Sequence, residues 1–300
     1  MKITIVGLGK MGSQIAERLV KAGHQVVAVD PDPAAVKAAE AFGAVGVANR
    51  AAAVQEFAGE PAVVWLMIPA QFVTEEVAAW LEVLPAGSLL VDGGNTDFRE
   101  TKKHAAACAG RSVNFVDVGV SGGVMGLING FSMMAGGDEA SYQRITPVLD
   151  ALSMPNGGHD YFGEAGSGHY VKMVHNAIEY GMMQSLAEGY QILKQGPYSN
   201  LDLAKAGAVW QKASVIESTL NSLMAEVMIE NPNQDGISGY VAESGEARWT
   251  LEVAKDTGIE LPVIKTALGV RIRSEQGDVS YATKLLASLR NKFGGHKVNK

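Results

Sequence analysis

Two hydrophobic rhythms divide this chain. Up to about Gly163, short runs of apolar and β-branched residues alternate with segments whose apolar positions recur at the helical period. The runs at 2–6, 25–29, 62–68, 88–91 and 114–118 predict strands, with helices between them at 11–22, 33–42, 72–84 and 98–109. Further strands at 131–135 and 161–162 flank a helix at 139–152. Short apolar strands separated by amphipathic helices make a parallel sheet covered on both faces. Past Gly163 the strand rhythm stops. A long helix is predicted at 169–195, then others at 201–215, 218–229, 241–257, 262–275 and 282–291. The expected fold is α/β: a doubly wound, mostly parallel sheet over residues 1–163, followed by an all-α second domain over 164–300.

The first strand runs directly into Gly7-Leu8-Gly9-Lys10-Met11-Gly12, which opens the first helix. In that setting Gly7 permits the tight turn, Gly9 lets the main chain approach a pyrophosphate, and Gly12 lets helix and strand pack closely. The helix N-terminus turns unpaired N–H groups and its positive dipole end toward the phosphates. Asp30, ending the second strand, is placed to accept hydrogen bonds from the adenosine ribose hydroxyls. Its charge repels a 2′-phosphate, and residues 31–36 contain no arginine to attract one. The first domain therefore reads as a Rossmann-type domain for a nicotinamide dinucleotide, NAD ahead of NADP.

Composition narrows this only by exclusion. The 300 residues are 47% hydrophobic and 19% charged, with a formal charge of −7, which disfavours a nucleic-acid binder that needs a basic face. Arg271, Arg273, Lys284, Arg290, Lys292 and Lys297 nevertheless gather near the C-terminus and suggest a local anion site. The longest apolar stretch, 62–70, is too short for a bilayer, and the N-terminal run is broken by Gly7 and Gly9, unlike a secretory signal. With one cysteine, Cys108, in a run of small residues, the expectation is a cytoplasmic protein without disulfides, that thiol packing the core. No histidine, cysteine or carboxylate cluster has metal-ligand spacing.

The long helix carries the next chemistry. Lys172, His175, Asn176 and Glu179 fall at i, i+3, i+4 and i+7, an arc of roughly 100° with Tyr180 at its edge. Spacing alone also fits the solvated face of an amphipathic helix. Composition favours function: His and Asn are mediocre helix formers, whereas a solvated face usually uses Glu, Lys, Gln and Arg. An ammonium, an imidazole, an amide and a carboxylate on one face make an acid–base set.

Four blocks occur in order: the Gly7–Gly12 turn, Val91-Asp92-Gly93-Gly94-Asn95-Thr96, Gly119-Val120-Ser121-Gly122-Gly123, and the stretch from Gly166-Ser167-Gly168-His169 through Tyr180. Together they resemble the decarboxylating 6-phosphogluconate dehydrogenases, in their short form, and more broadly the β-hydroxyacid dehydrogenases. The tail Arg290-Asn291-Lys292-Phe293-Gly294-Gly295-His296 resembles the family's C-terminal motif, in which an Arg and a His reach into the neighbouring subunit's site. The resemblance implies oxidation of 6-phosphogluconate at C3 and loss of CO2 to give ribulose 5-phosphate, a step of the pentose phosphate pathway and gluconate utilisation. It implies Lys172 as the base for the C3 hydroxyl and then as the acid at the carbonyl oxygen, with Glu179 protonating carbon. Ser121, Gly122 and Gly123 would hold the carboxylate region, while Asn95, His175, Asn176 and Tyr180 would orient the substrate. Arg271, Arg290 and His296 would hold the phosphate through charge-assisted hydrogen bonds. Met67 and Asn95 join Gly7, Leu8, Gly9, Lys10, Met11, Gly12 and Asp30 as cofactor contacts, and no metal is required.

Two departures from the long family members stand out. They carry a duplicated helical region, so a single unit predicts an apolar face covered in a homodimer or homotetramer with the site shared between subunits. Where they have Lys-Gly-Thr-Gly-Lys-Trp-Thr, this chain has Ser244-Gly245-Glu246-Ala247-Arg248-Trp249-Thr250, which moves the phosphate-binding role onto Arg271, Arg290 and Arg248. Two other readings remain at this stage. One is another β-hydroxyacid dehydrogenase, such as one for 3-hydroxyisobutyrate, though that group generally lacks the His175, Glu179 and Tyr180 set. The other is a non-catalytic NAD-sensing module, which would have no use for Lys172 with Glu179.

Overall fold

A computed structural model describes residues 1–198 and 200–295 together with Val298. By compactness the chain forms two units, Met1–Met173 and Val174–Lys300.

The first unit is built on strands β1 (Lys2–Val6), β2 (Gln25–Val29), β3 (Val45–Gly46), β4 (Val63–Leu66), β5 (Leu89–Asp92), β6 (Asn114–Ser121), β7 (Ser132–Gly137) and β8 (Gly158–Tyr161). They form one sheet in the order β3-β2-β1-β4-β5-β6-β7-β8. β1 to β6 are parallel to one another, β6 and β7 are antiparallel, and β8 runs parallel to β7. The expected doubly wound sheet is thus present, and the order of its first six strands is that of dinucleotide-binding folds.

The connecting helices are α1 (Lys10–Lys21), α2 (Pro33–Ala41), α3 (Arg50–Gln55), α4 (Ala70–Leu81), α5 (Phe98–Ala109), α6 (Gly126–Asn129) and α7 (Glu139–Ser153). Strand residues alternate between two cores. Val63 and Trp65 face a cluster with Ile3, Ile5 and the α1 residues Ile15 and Leu19. Val64 and Leu66 face the other, with Val73, Val77 and Trp80 of α4 and with Cys108. Each fully buried side chain of this kind contributes about 1.5–3 kcal/mol of transfer free energy. The surface ion pairs contribute about 0–1 kcal/mol each, so the double covering of the sheet dominates. Cys108 is fully buried, and burial pushes its thiol up to about 12.

Capping residues set where helices begin. Asp32 accepts a hydrogen bond from the Ala34 amide with Pro33 in the first turn, and Asp97 and Asp138 cap α5 and α7 in the same manner. β3 and α3 are elements that the pattern does not announce. β3 has two residues, and the alanine-rich start of α3 has no amphipathic signature, though Asn49 caps it. The last strand lies at Gly158–Tyr161, ahead of the expected 161–162.

Helix α8 (Ser167–Gln195) is continuous through the change of units. In the second unit it is followed by α9 (Leu203–Trp210), α10 (Thr219–Glu230), α11 (Glu246–Thr257), α12 (Pro262–Glu275) and α13 (Tyr281–Gly294). Tyr190, Leu223, Met224, Leu285 and Leu289 anchor its main core. Helix α11 starts five residues later than the pattern predicts, at Glu246 rather than Val241. Gly245 has φ +101°, and its amide is bound at 2.9 Å by the Glu243 carboxylate, so the chain turns there before the helix begins. Among the described residues no helix is long and apolar enough to cross a membrane, and no group of three histidine, cysteine or carboxylate side chains is arranged to hold a metal ion.

Candidate functional site

The glycine turn follows β1 at the switch point of the sheet, where β2 and β3 lie on one side of β1 and β4 to β6 on the other. Gly7 has φ +88°, and a Cβ on it would lie 2.6 Å from the Met67 carbonyl oxygen. A Cβ on Gly12 would lie 1.9 Å from the Gly7 carbonyl oxygen. Gly9 differs, because a Cβ there would meet nothing within 4 Å. Its neighbours inside the protein do not require glycine. The space it leaves opens on a cavity of about 860 Å³, lined also by Gly7, Asp30, Met67, Ile68 and Phe72. That volume lies in the range of small-molecule sites. The crowded Gly7 and Gly12 and the open Gly9 make a cradle that fits a dinucleotide pyrophosphate.

Asp30 directly follows β2 at the same cavity. Its carboxylate accepts the Leu8 amide at 2.6 Å and the Asp32 amide at 2.8 Å, which fixes its orientation while lone pairs remain for ribose hydroxyls. Lys10 is exposed and Met11 half-buried at the start of α1. The cavity wall also holds Arg50 from α3 and Glu76 from α4, neither expected from sequence. They form a two-point ion pair, with Nε to Oε1 at 2.9 Å and Nη2 to Oε2 at 2.6 Å.

Beyond β5, the fully buried Asp92 accepts the Gly94 amide at 3.0 Å and the Thr96 hydroxyl at 2.7 Å. This shapes the turn that leaves Asn95 exposed. Beyond β6, Ser121 is half-buried and Gly122 turns the chain with φ +146° above the ring of Phe131. Gly123 then begins one 3₁₀ turn, Gly123–Met125.

Asp117, fully buried in the middle of β6, accepts the amides of Gly166 and His169, both at 2.8 Å. A strand carboxylate thus binds the orphan donors that open α8. The Thr101 hydroxyl pairs with His169 Nδ1 at 2.8 Å and ties the same turn to α5. Lys172 is buried against β6, where a Cβ on Gly119 would lie 2.3 Å from the Lys172 Cβ. Any larger residue at 119 would displace the lysine stem. Asp117 was legible as a carboxylate within the apolar run Phe115-Val116-Asp117-Val118. Asp117→Ala is expected to lower the unfolding free energy by about 2–4 kcal/mol, since two buried donors lose their acceptor. Denaturant titration reads this as a lower midpoint, and an unchanged midpoint would show that the cap does not stabilise the fold.

The second unit holds a separate polar cluster. Asn176 donates from Nδ2 to Glu246 Oε1 at 2.9 Å and pairs through Oδ1 with His175 Nδ1 at 2.9 Å. The Tyr180 hydroxyl accepts the Ser244 amide at 3.1 Å and lies 3.2 Å from the Ser244 hydroxyl. Ser244 and Glu246, the two departures in the altered motif, are therefore engaged by the long helix. Arg271, 2% exposed, stacks its guanidinium 3.3 Å from the Tyr180 ring centroid and donates to the Met183 sulfur at 3.6 Å. Burial pushes it down to about 10, partly offset by Tyr180, with Arg290 adding repulsion and Glu179 and Glu246 attraction. Arg290 is also buried and lowered, chiefly by desolvation, beside Tyr180 and Glu179 of its own chain. Among the described residues neither arginine forms an ion pair with a carboxylate. Arg248, by contrast, is held by Glu243 through Nε and Nη2. His296 lies outside the described residues.

A glycine cradle at a sheet switch point is how the dinucleotide-dependent oxidoreductases hold a pyrophosphate, and the first unit is a domain of that class. Residues 2–163 match the NAD binding domain of 6-phosphogluconate dehydrogenase, and residues 168–299 match its C-terminal domain. The chain belongs to the 6-phosphogluconate dehydrogenase family. It is 37% identical to the NAD(+)-dependent decarboxylating 6-phosphogluconate dehydrogenase of Haloferax volcanii, over 99% of this chain and 98% of that one. It is 31% identical to the NADP(+)-dependent enzyme of Bacillus subtilis, over 91% of this chain and 61% of that longer one. The structure of Plasmodium falciparum 6-phosphogluconate dehydrogenase, described with NADP+ and with 6-phosphogluconate, superposes with a TM-score of 0.80 at 27% identity, covering 100% of this chain and 66% of that one.

Proposed function

We propose that this chain oxidises and decarboxylates 6-phosphogluconate to ribulose 5-phosphate and CO2, with NAD as the preferred cofactor. The observation that carries the substrate is the pair of buried arginines, Arg271 and Arg290, with no carboxylate ion partner among the described residues. Burying a guanidinium is costly without a counter-ion, and a phosphate dianion is the ligand that repays it with forked hydrogen bonds.

The nicotinamide cofactor, when bound by Gly7–Gly12 and Asp30, supplies the hydride acceptor. Lys172 takes the proton of the C3 hydroxyl and, as an ammonium, then polarises the carbonyl oxygen while the carboxyl group leaves as CO2. Glu179 delivers the proton to carbon that converts the enediol into the ketose. Ser121, Gly122 and Gly123 hold the carboxylate end by hydroxyl and amide donors. Asn95, His175, Asn176 and Tyr180 orient the polyol, and His296 completes the phosphate site. Residues 164–300 serve as the substrate and dimerisation domain of a homodimer or homotetramer.

Incubation with 6-phosphogluconate and either NAD or NADP, following reduced cofactor and released CO2 together, tests the reading. Stoichiometric CO2 and faster reduction of NAD are expected. Reduction without CO2, or turnover of 3-hydroxyisobutyrate in preference, would replace it with a non-decarboxylating β-hydroxyacid dehydrogenase.

A further inference from the structure

The wall of the cavity that holds Asp30 has an uneven distribution of charge. Its lining contains Asp30, Glu75 and Glu76 and, among the described residues, a single cationic side chain, Arg50. An arginine near the adenosine ribose is the ordinary means of accepting a 2′-phosphate. Here that arginine is already occupied. Both its Nε and its Nη2 are directed at Glu76, at 2.9 and 2.6 Å. The pair is not a deep structural bridge: the Arg50 side chain is 40% exposed and that of Glu76 18%. The Glu76 hydrogen bond holds Arg50 more firmly protonated than usual. A solvent-accessible ion pair of this kind adds little to stability, too little to explain an arginine and a glutamate placed together on a ligand cavity. Its larger consequence is electrostatic: it neutralises the cation of this lining and leaves the carboxylates of Asp30 and Glu75 uncompensated within it.

We infer that Glu76 is a specificity-determining residue, which excludes the 2′-phosphate of NADP by sequestering Arg50. Asp30 acts directly, by repulsion and by binding the ribose hydroxyls. Glu76 acts through another residue, by keeping that residue's two forked donors from turning to a phosphate. The inference rests on the NAD preference proposed above and assigns it a second determinant, on α4, that is 26 residues from its partner in sequence.

Glu76→Gln removes the charge and keeps the shape. The quantity to measure is the affinity ratio of 2′,5′-ADP to AMP, together with the ratio of kcat/KM for NADP to that for NAD. Both ratios are expected to rise about tenfold in Glu76→Gln, the scale of one released charge-assisted contact. In Glu76→Gln/Arg50→Met the gain is expected to vanish, because no guanidinium is left to release. Unchanged ratios in the single variant overturn the inference, and so does an equal gain in the double variant, which would show only the loss of a negative charge. If Glu76→Gln does not fold, Glu76→Ala with and without Arg50→Met takes its place and is read in the same way: a gain that depends on Arg50 supports the inference, and no gain, or an equal gain without Arg50, overturns it. The wild-type ratio tests the NAD preference separately. A wild type favouring NADP would refute that preference, while the change on Glu76→Gln would still report on Glu76.

Discussion

Replacing Lys172 by Met is expected to reduce kcat for 6-phosphogluconate oxidation by about 10³-fold or more, at the strong end of general acid–base effects. Dinucleotide affinity is expected to stay within about twofold of wild type, since the cradle is formed by other elements. The fold should tolerate the change. Lys172 is buried with its stem against Gly119, and methionine keeps an unbranched stem of similar volume while deleting the ammonium. Single-turnover mixing distinguishes the outcomes: a proton-transfer role predicts loss of the hydride step itself, not slower product release. A kcat within about tenfold of wild type would remove Lys172 from the acid–base role.

Arg271→Met is the second large effect. It is expected to raise KM for 6-phosphogluconate by about 10²–10³-fold, about 3–4 kcal/mol and within the range lost when one member of a buried charge contact is removed. The effect on kcat should be smaller, because the phosphate lies far from the reacting carbons and binds ground and transition states alike. Thermal stability is expected to hold or increase, since Arg271 is 2% exposed, without a carboxylate ion partner among the described residues, and lowered to about 10 by desolvation. Arg271→Lys should recover only part of the loss, because an ammonium cannot reproduce the planar fork stacked on Tyr180. An unchanged KM with lowered stability would make Arg271 a structural residue.

These two sites were legible to different degrees. Lys172, His175, Asn176 and Glu179 were readable from spacing on one helix, and the cradle from three glycines between a strand and a helix. Neither shows what the side chains meet. The pattern pointed to Ser244 and Glu246 as departures from the long form. It contained nothing to show that Glu246 accepts from Asn176, 70 residues away, or that Tyr180 receives the Ser244 amide. Nor did it show that Glu243 engages Arg248, which the altered motif had nominated as a phosphate ligand.

By itself the sequence determined the alternation of strands and helices, the glycine cradle with Asp30, the family, and the polar stripe of the long helix. All of these are encoded over short distances, by hydrophobic period, by backbone positions that only glycine satisfies, and by helical spacing. The tertiary structure alone decided that β7 runs antiparallel to β6, that Asp117 of β6 opens the helix bearing Lys172, and that Arg271 and Arg290 are buried without a carboxylate ion partner among the described residues. It alone brought Arg50, in a helix the pattern did not announce, to the cavity with Glu76. Such features depend on contacts between residues tens of positions apart, and burial and charge pairing acquire values only when the fold has brought both partners together.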